Sequence, residues 1–509
     1  MKKIFLFLFL FASLFCFAQN TPDLKKIDKY IAQAQKDWNV PGFAVAIVKD
    51  GEVIFEKGYG VRKAGTKDPI DEHTLFAIAS NTKAFIATSI VKLAEEEKLN
   101  LKDPVIKHLP YFKLYDDYAT NHARIEDLLS HKLGLGTFSG DVIWYKSTFT
   151  VPEVISKIQY IPQAYEFRGG YGYSNLMYIT AGEVIHQASG KNWDQYIQDT
   201  FLNPLGMTRT LTTIDNISSI SNVASPHKWI DGNHTPIPWA TWNNSGAAGG
   251  IISSVHDMSQ WMMLHLNKGN WQGTQIFSIN SQDEMIYPHN THKITSNSRE
   301  YIPSRHFSGY GLGFGLYDMH GQMIVTHSGG YDGMYSRLAM MPDLDFGVVI
   351  LTNSMTGIGT ALAYYIMDAY SGAEEKDWSK KLHQSLKNGQ EIYAKRIKER
   401  VNARKKGTNP LVSASQYVGD YLDDMYGDLQ VVEQDGNLRL LFPKAPALNA
   451  TLTHWHYDTY QIEWDEEHAW FDFGTVSFDL DNNLNVTGMT FDVPNDDIFF
   501  EEIHAVKVE

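Results

Sequence analysis

The sequence predicts an α+β domain followed by a small all-β domain, and three features carry that expectation. Strand-like text stands at both ends of residues 42–370 while the middle is helical, a charged helical stretch then follows, and residues 411–509 alternate apolar and polar between short turns. Strands from distant segments must pair in one sheet packed against the helices, which is the α+β arrangement.

The chain opens with Met1, Lys2 and Lys3, then an apolar run from Ile4 to Phe17, with Cys16 and Ala18 at −3 and −1 of a cleavage point. This is the pattern of a signal peptide over residues 1–18. The run is too short to cross a bilayer, which needs about 20 helical residues, so no membrane span is expected. Lipid attachment at Cys16 is the rival reading, set against it by the bulky Leu14 and Phe15. Cleavage would remove the single cysteine, leaving neither disulfide nor thiolate chemistry, so a nucleophile must be an oxygen. It would also remove Lys2 and Lys3 and take the formal charge from −15 to −17, which argues against a nucleic-acid partner. The expected location is periplasmic or secreted.

In chain order, an amphipathic stretch at Leu24–Trp38 precedes GFAVAIVKDGEVIFEKGYG (42–60), a β-hairpin turning at Asp50-Gly51. Phe76–Ala79 reads as a short buried approach to a helix over 81–99, with Ser80 at its N-cap position. Residues 101–240 mix helices and loops, with helical text at Ile125–Leu129 and 182–201. Strands are expected at Tyr310–Leu316, Met323–His327, Ser336–Met341 and Phe346–Asn353, then a closing helix at Ile358–Tyr370. The first domain is therefore placed at 19–370, a helical connector at 371–410 with an Asn409-Pro410 break, and the β-domain, a barrel or sandwich, at 411–509.

Three motifs carry chemistry. Ser80-Asn81-Thr82-Lys83 puts an ammonium one helical turn from a hydroxyl, on the same face and at the positive end of a helix dipole. Desolvation would lower the lysine pKa and let it take the serine proton. The pattern also arises by chance, and Ser89-Ile90-Val91-Lys92 repeats it about half a turn away, in mid-helix. Tyr173-Ser174-Asn175 follows a glycine-rich loop; a phenol whose pKa is lowered by a nearby cation can relay protons, and an asparagine amide can hold a substrate carbonyl. A packed loop tyrosine and a capping asparagine explain the same text. His327-Ser328-Gly329-Gly330 ends an apolar strand; small residues there let a substrate backbone pair along the edge, and the Gly330 N–H with that of Ser80 can form an oxyanion hole. A histidine closing a strand into a glycine-rich turn is the plainer alternative.

Together and in this order, S-x-x-K, Y-x-N and H-x-G resemble the penicillin-recognising serine hydrolases related to class C β-lactamases, D-Ala-D-Ala carboxypeptidases, D-aminopeptidases and certain esterases. The likeness extends over about residues 25–370, through LLSHKLGL (128–135), NPLGM (203–207), GAAGGIISSVHDMSQWM (246–262), YGLGFGL (310–316) and VVILTNS (348–354). It implies a β-lactamase/transpeptidase-like fold, an antiparallel sheet flanked by helices plus a mostly helical subdomain, and no cofactor. By this resemblance Ser80 is the nucleophile, Lys83 its activator and Tyr173 a proton relay. Asn175, Ser328 and Gly329 would bind substrate, His327 is the third-motif residue, and Ser80 and Gly330 donate to the oxyanion. The sequence departs from a K-T-G third motif. Histidine, with an ordinary pKa near ~6.5, is mostly neutral at pH 7 and would instead polarise Tyr173 by a hydrogen bond. That shifts the expectation toward a peptidase or amidase of D,D-carboxypeptidase or D-aminopeptidase type. The alternatives are a carboxylesterase, a weak β-lactamase, or an inactive ligand-binding protein.

His454-Trp455-His456-Tyr457-Asp458 matches H-x-H-x-D zinc text, but no further histidine follows at Thr459, so no metal is expected. The Gly-x-Ser-x-Gly elbow is absent. Residues 411–509 resemble a lipocalin-like β-domain, whose part in covering the cleft, binding a ligand or assembling oligomers the sequence leaves open. The substrate, a small molecule or peptide, and the oligomeric state are open as well; loops 137–170 and 270–305 are expected to wall the pocket.

Overall fold

Asp50 and Gly51 both take positive φ, 54° and 76°, which is what a two-residue turn between right-twisted strands requires. They join β1 (Gly42–Lys49) to β2 (Glu52–Gly60) in the expected hairpin. A computed structural model describes residues 22–508; the expected leader at 1–18 lies outside the described residues. The hairpin follows helix α1 (Leu24–Asp37) and joins β3 (Asn290–Thr291), β4 (Ser308–Tyr310), β5 (Gly315–Met319), β6 (Gln322–Tyr331), β7 (Met334–Met341) and β8 (Phe346–Thr352). Together they make one antiparallel sheet in the order β2-β1-β8-β7-β6-β5-β4-β3. The start of the domain thus pairs with its end, from Phe43 opposite Thr352 to Lys49 opposite Phe346.

Period-2 alternation along β1 divides the core. Phe43, Val45 and Ile47 face a cluster with Ile27 and Ile31 of α1 and with Leu362 and Ile366, which lie on the closing helix Ile358–Ser371. Ala44, Ala46 and Val48 face the larger cluster on the other side, which includes Phe85 and Trp261. Both faces are covered, so β1 reads as a nearly continuous apolar run. The second layer holds α2 (Thr82–Glu95), α3 (Asn175–Ser189) and α4 (Val255–Leu266), with α5 the closing helix and α6 (Trp378–Ala403) the connector.

Four expectations are corrected. Ser80 is not the N-cap: it sits in a 3₁₀ turn, Ala79–Asn81, and α2 begins only at Thr82 and ends at Glu95. The helical text at 182–201 breaks at Gly190, which takes φ 73° and closes α3. The strand expected at Tyr310–Leu316 is split by a turn, where Gly313, φ 79°, lies so close to α2 that a Cβ would stand 2.8 Å from the Lys83 carbonyl. The strand expected to stop at His327 continues through Gly330 to Tyr331, so the third motif is strand and not turn.

Beyond α6, eight strands from Gly419–Asp423 to His504–Lys507 close into a barrel, which leaves no sheet edge exposed. Buried Tyr417, Tyr421, Leu429, Val431 and Phe478 fill its core. Arg400 on α6 grips Asp492 with two bonds of 2.8 and 2.9 Å. The barrel also docks on the first domain. The Glu502 carboxylate accepts from Ser139 Oγ at 2.6 Å, Gly140 N at 2.8 Å and Tyr426 OH at 2.5 Å, and Lys228 pairs with Glu467 at 3.1 Å and with Asp472.

A carboxylate that satisfies three donors at a domain boundary leaves them stranded when removed. Glu502→Ala is expected to lower stability by about 2 kcal/mol, read as a reduced Tm in calorimetry. An unchanged Tm would show that the dock does not depend on Glu502.

Candidate active site

Burying a lysine is costly unless every ammonium proton finds an acceptor. Lys83 is fully buried and meets that condition: Nζ donates to Ser80 Oγ at 3.0 Å, Asn175 Oδ1 at 2.7 Å and the Ala248 carbonyl at 2.7 Å. Local structure explains the meeting. Residues 80 and 83 share one face where the 3₁₀ turn runs into α2, and Asn175 opens α3, which packs against α2. The GAAG helix at Gly246–Gly249 brings the Ala248 carbonyl down onto the amine. Burial lowers the Lys83 pKa to about 7, partly opposed by the carboxylate of Asp141.

The chain enters the nucleophile turn through Ala79, at φ 48°. A non-glycine residue in the left-handed region costs on the order of 1–3 kcal/mol and persists only where the surroundings impose it. Here the imposition comes from Phe76–Ala77, paired with Ile252–Ser253, and from Gly329 of β6. A Cβ on Gly329 would stand 2.5 Å from the Ile78 carbonyl and 2.6 Å from Ser80 N, so only glycine lets the strand lie against the nucleophile turn. β5 pairs with β6 only from Met319↔Gln322 to Gly315↔Thr326, so the β6 edge from His327 onward is not covered by β5.

Tyr173 lies half-buried beside this pair. Burial pushes its phenol well above the ordinary value, against a hydrogen bond with Ser80 that pulls it down. The Lys83 ammonium lies 4.8 Å from the Tyr173 ring centroid and 5.4 Å from that of Tyr178. The expectation that a cation lowers the Tyr173 pKa is therefore overturned: desolvation wins and the phenol stays protonated. His327 also departs from expectation. Its Nε2 meets Tyr310 OH at 2.8 Å, not Tyr173, whose ring centroid is 6.1 Å away. Its Nδ1 lies 2.6 Å from the Ser328 carbonyl, which only accepts, so Nδ1 carries the proton and Nε2 receives from Tyr310. Burial, then Lys83, lowers its pKa to about 3, so the ring is neutral.

The second serine-lysine pair is not assembled. Ser89 Oγ is buried and donates to the Phe85 carbonyl at 2.8 Å, and Lys92 pairs with Glu95 and Glu96. The H-x-H-x-D residues also separate: His454 reaches the Tyr457 carbonyl, His456 accepts from Lys405 N, and Asp458 accepts from Leu411 N and Tyr417 OH.

Two residues of the site escaped the sequence reading. Asp141, in the loop TFSGDVIW, accepts from Asn175 Nδ2 at 2.6 Å and Trp144 Nε1 at 2.8 Å, so Asn175 bridges it to Lys83. Burial raises its pKa to about 8, against those two hydrogen bonds and the Lys83 charge. Its signal was a lone acid in a stretch otherwise uncharged. His131, φ 57°, accepts the Ser174 N–H at Nδ1 (3.1 Å) and packs 4.4 Å from the Tyr173 ring, which fixes that loop. Burial lowers its pKa well below the usual range. LLSHKLGL had marked the segment as familial without assigning it a task.

These groups open onto a cavity of about 680 Å³. Phe138, Asp141 and Trp144 come from the first expected loop and His292 from the second, while Trp470, Asp497 and Ile498 come from the barrel. The barrel therefore covers part of the cleft, one of the roles the sequence left open.

Residues 27–371 match the family described as Beta-lactamase, and residues 403–507 match a domain of unknown function, DUF3471. The unguisins hydrolase ungD of Aspergillus violaceofuscus (strain CBS 115571) is 29% identical over 449 residues, covering 82% of this chain and 78% of its own. Protein flp of Staphylococcus aureus (strain N315) is 28% identical over 335 residues, covering 65% and 63%. Among solved structures, the octameric penicillin-binding protein homologue from Pyrococcus abyssi superposes with a TM-score of 0.63 at 22% identity, covering 95% of this chain and 99% of that one, which is a likeness of fold. With the family matched across both ends of the sheet and the helical layer between them, the chain belongs to the Beta-lactamase family.

Proposed function

We propose that the protein is an exported serine hydrolase that cleaves amide bonds, in the manner of a peptidase or amidase, through an acyl-enzyme on Ser80. One observation carries the reading: a fully buried lysine with a pKa near neutrality sits 3.0 Å from the Ser80 hydroxyl. As an ammonium, Lys83 offers three protons to three acceptors. After losing one, it still donates to Asn175 Oδ1 and the Ala248 carbonyl, and its lone pair is left for Ser80.

Ser80 Oγ attacks the carbonyl carbon and its proton passes to Lys83. The N–H groups of Ser80 and Gly330 hold the oxyanion, and Ser328 lines the strand edge where the substrate backbone pairs, with Gly329 set against the nucleophile turn. Protonated Tyr173 gives its proton to the departing amine and regains one from Lys83. Water then cleaves the acyl-enzyme. Asn175 orients Lys83, and neutral His327 acts through Tyr310 as a positioning residue. The name of the relative ungD supports hydrolysis, and the leader pattern at 1–18 supports export.

Ser80→Ala is expected to reduce turnover by roughly 10³-fold or more and to abolish labelling by a fluorophosphonate or a fluorescent penicillin, followed by intact-mass spectrometry. Undiminished turnover would refute the assignment. Because the neutral amine is the base, kcat/KM should rise with pH through about 7. Lys83→Arg keeps a cation that cannot give up its proton, so it should abolish both turnover and that rise; a variant that retains the same pH profile would exclude Lys83 as the titrating base.

A further inference from the structure

A second cavity, of about 360 Å³, adjoins the first across Trp242, which lines both. That volume lies in the range of small-ligand sites, about 300–1,000 Å³. Neither Ser80, Lys83, Tyr173, Asn175 nor His327 lines it, so it takes no part in the acyl transfer proposed above. Gly246 and Ala247 of the GAAG helix do line it, next to the Ala248 carbonyl that receives Lys83.

Aromatic rings form the body of this cavity. Trp193 opens the short helix Trp193–Ile197, and a Cβ on Gly246 would stand 2.7 Å from its Cζ2. Glycine there lets the indole rest against the GAAG helix while it stays only half-buried. Trp242 is buried and fixed by its Nε1, which donates to Asp332 at 3.1 Å. Polar groups form the rim, and part of it is already set. Asn243 accepts from Thr213 Oγ1 at 3.5 Å and donates to Asp215 at 3.2 Å, and Asn244 donates to Ser147 Oγ at 2.9 Å. Other groups stand open: among the described residues the side chains of Asn192 and Asp194 have no hydrogen-bond or ion-pair partner, and the buried Nδ1 of His186 has none.

This mixture of groups selects the ligand. Among the described residues neither lysine nor arginine lines the cavity, while Glu183, Asp194 and Asp215 do, so an anion is repelled. An organic cation would use the carboxylates and the ring faces but leave the asparagine N–H donors without a partner. A ring bearing hydroxyls uses both, because each hydroxyl donates and accepts, and it satisfies His186 Nδ1 in either tautomer. The C–H face of such a ring packs on an indole, whose own face carries the negative part of its quadrupole.

We propose that this second cavity binds a neutral sugar ring, stacked on Trp193 and hydrogen-bonded by Asn192, Asp194 and His186. The saccharide is held and not cleaved, which attaches the protein to glycan-bearing material at a point separate from Ser80.

The test is calorimetry on the full chain with methyl β-D-glucoside, N-acetylglucosamine and chitobiose, and with choline as the cationic control. At least one sugar should bind, and more tightly than choline. Trp193→Ala should weaken that sugar by about tenfold or more, and Trp193→Phe by less. Asn192→Ala alters an exposed side chain with no internal partner, so it should leave the Tm unchanged and weaken the sugar several-fold; it carries the test if Trp193→Ala fails to fold. Trp470→Ala, in the Ser80 cavity, should leave sugar affinity unchanged. Choline bound more tightly than every sugar, or no sugar bound at tens of millimolar, would overturn the proposal. So would a sugar whose affinity falls with Trp470→Ala and not with Trp193→Ala or Asn192→Ala, since it would then sit beside Ser80. Because binding is read without turnover, the result stands apart from whether Ser80 is acylated.

Discussion

A cation with no access to water organises this active site. The amine of Lys83 must satisfy its protons inside the protein, and the three acceptors that do so come from three separate parts of the chain: the nucleophile turn, the start of α3 and the GAAG helix. Each is held in turn. Asn175 is fixed by Asp141, Asp141 by Trp144, and Gly140 just before it by the barrel's Glu502. The chemistry of one nitrogen thus sets the relative placement of two helices, a loop and a second domain. Low dielectric makes such a network costly if any member is left unpaired, which is why its geometry is closely determined.

The same burial sorts the neighbouring groups into protonation states. Tyr173 and Tyr310 remain phenols, His327 and His131 remain neutral imidazoles, and Lys83 and Asp141 are brought toward neutrality from opposite sides. Desolvation disfavours every charged form, so it carries an amine of high intrinsic pKa down toward pH 7 and a buried carboxyl up toward it. The site therefore gains a base by excluding water rather than by adding a second cation.

Much of this was legible in the sequence. The hairpin at Asp50-Gly51, the helix Ile125–Leu129 and the apolar run of β8 follow from local turn chemistry and periodicity, and Ser80, Lys83, Tyr173, Asn175 and His327 were marked by spacing. What stayed hidden depends on contacts distant along the chain. No spacing rule links Asp141 to Asn175, or Tyr310 to His327. The split at Gly311–Phe314 arises from the approach of Gly313 to α2, and the 3₁₀ turn at Ser80 from the strained Ala79 beside β6. Trp470 and Asp497 were least accessible, since nothing in the barrel's alternating text tells which loop faces another domain.

The edge of β6 beyond Thr326, left without β5 as a partner, has a second consequence. A row of open backbone groups that receives a substrate is also a template on which another extended chain can grow. Trp470 crosses this edge close to Gly330, its ring 3.0 Å from where a Cβ would stand. An indole laid there narrows the opening to a short segment, so the barrel guards the sheet against self-association while leaving room for a small guest.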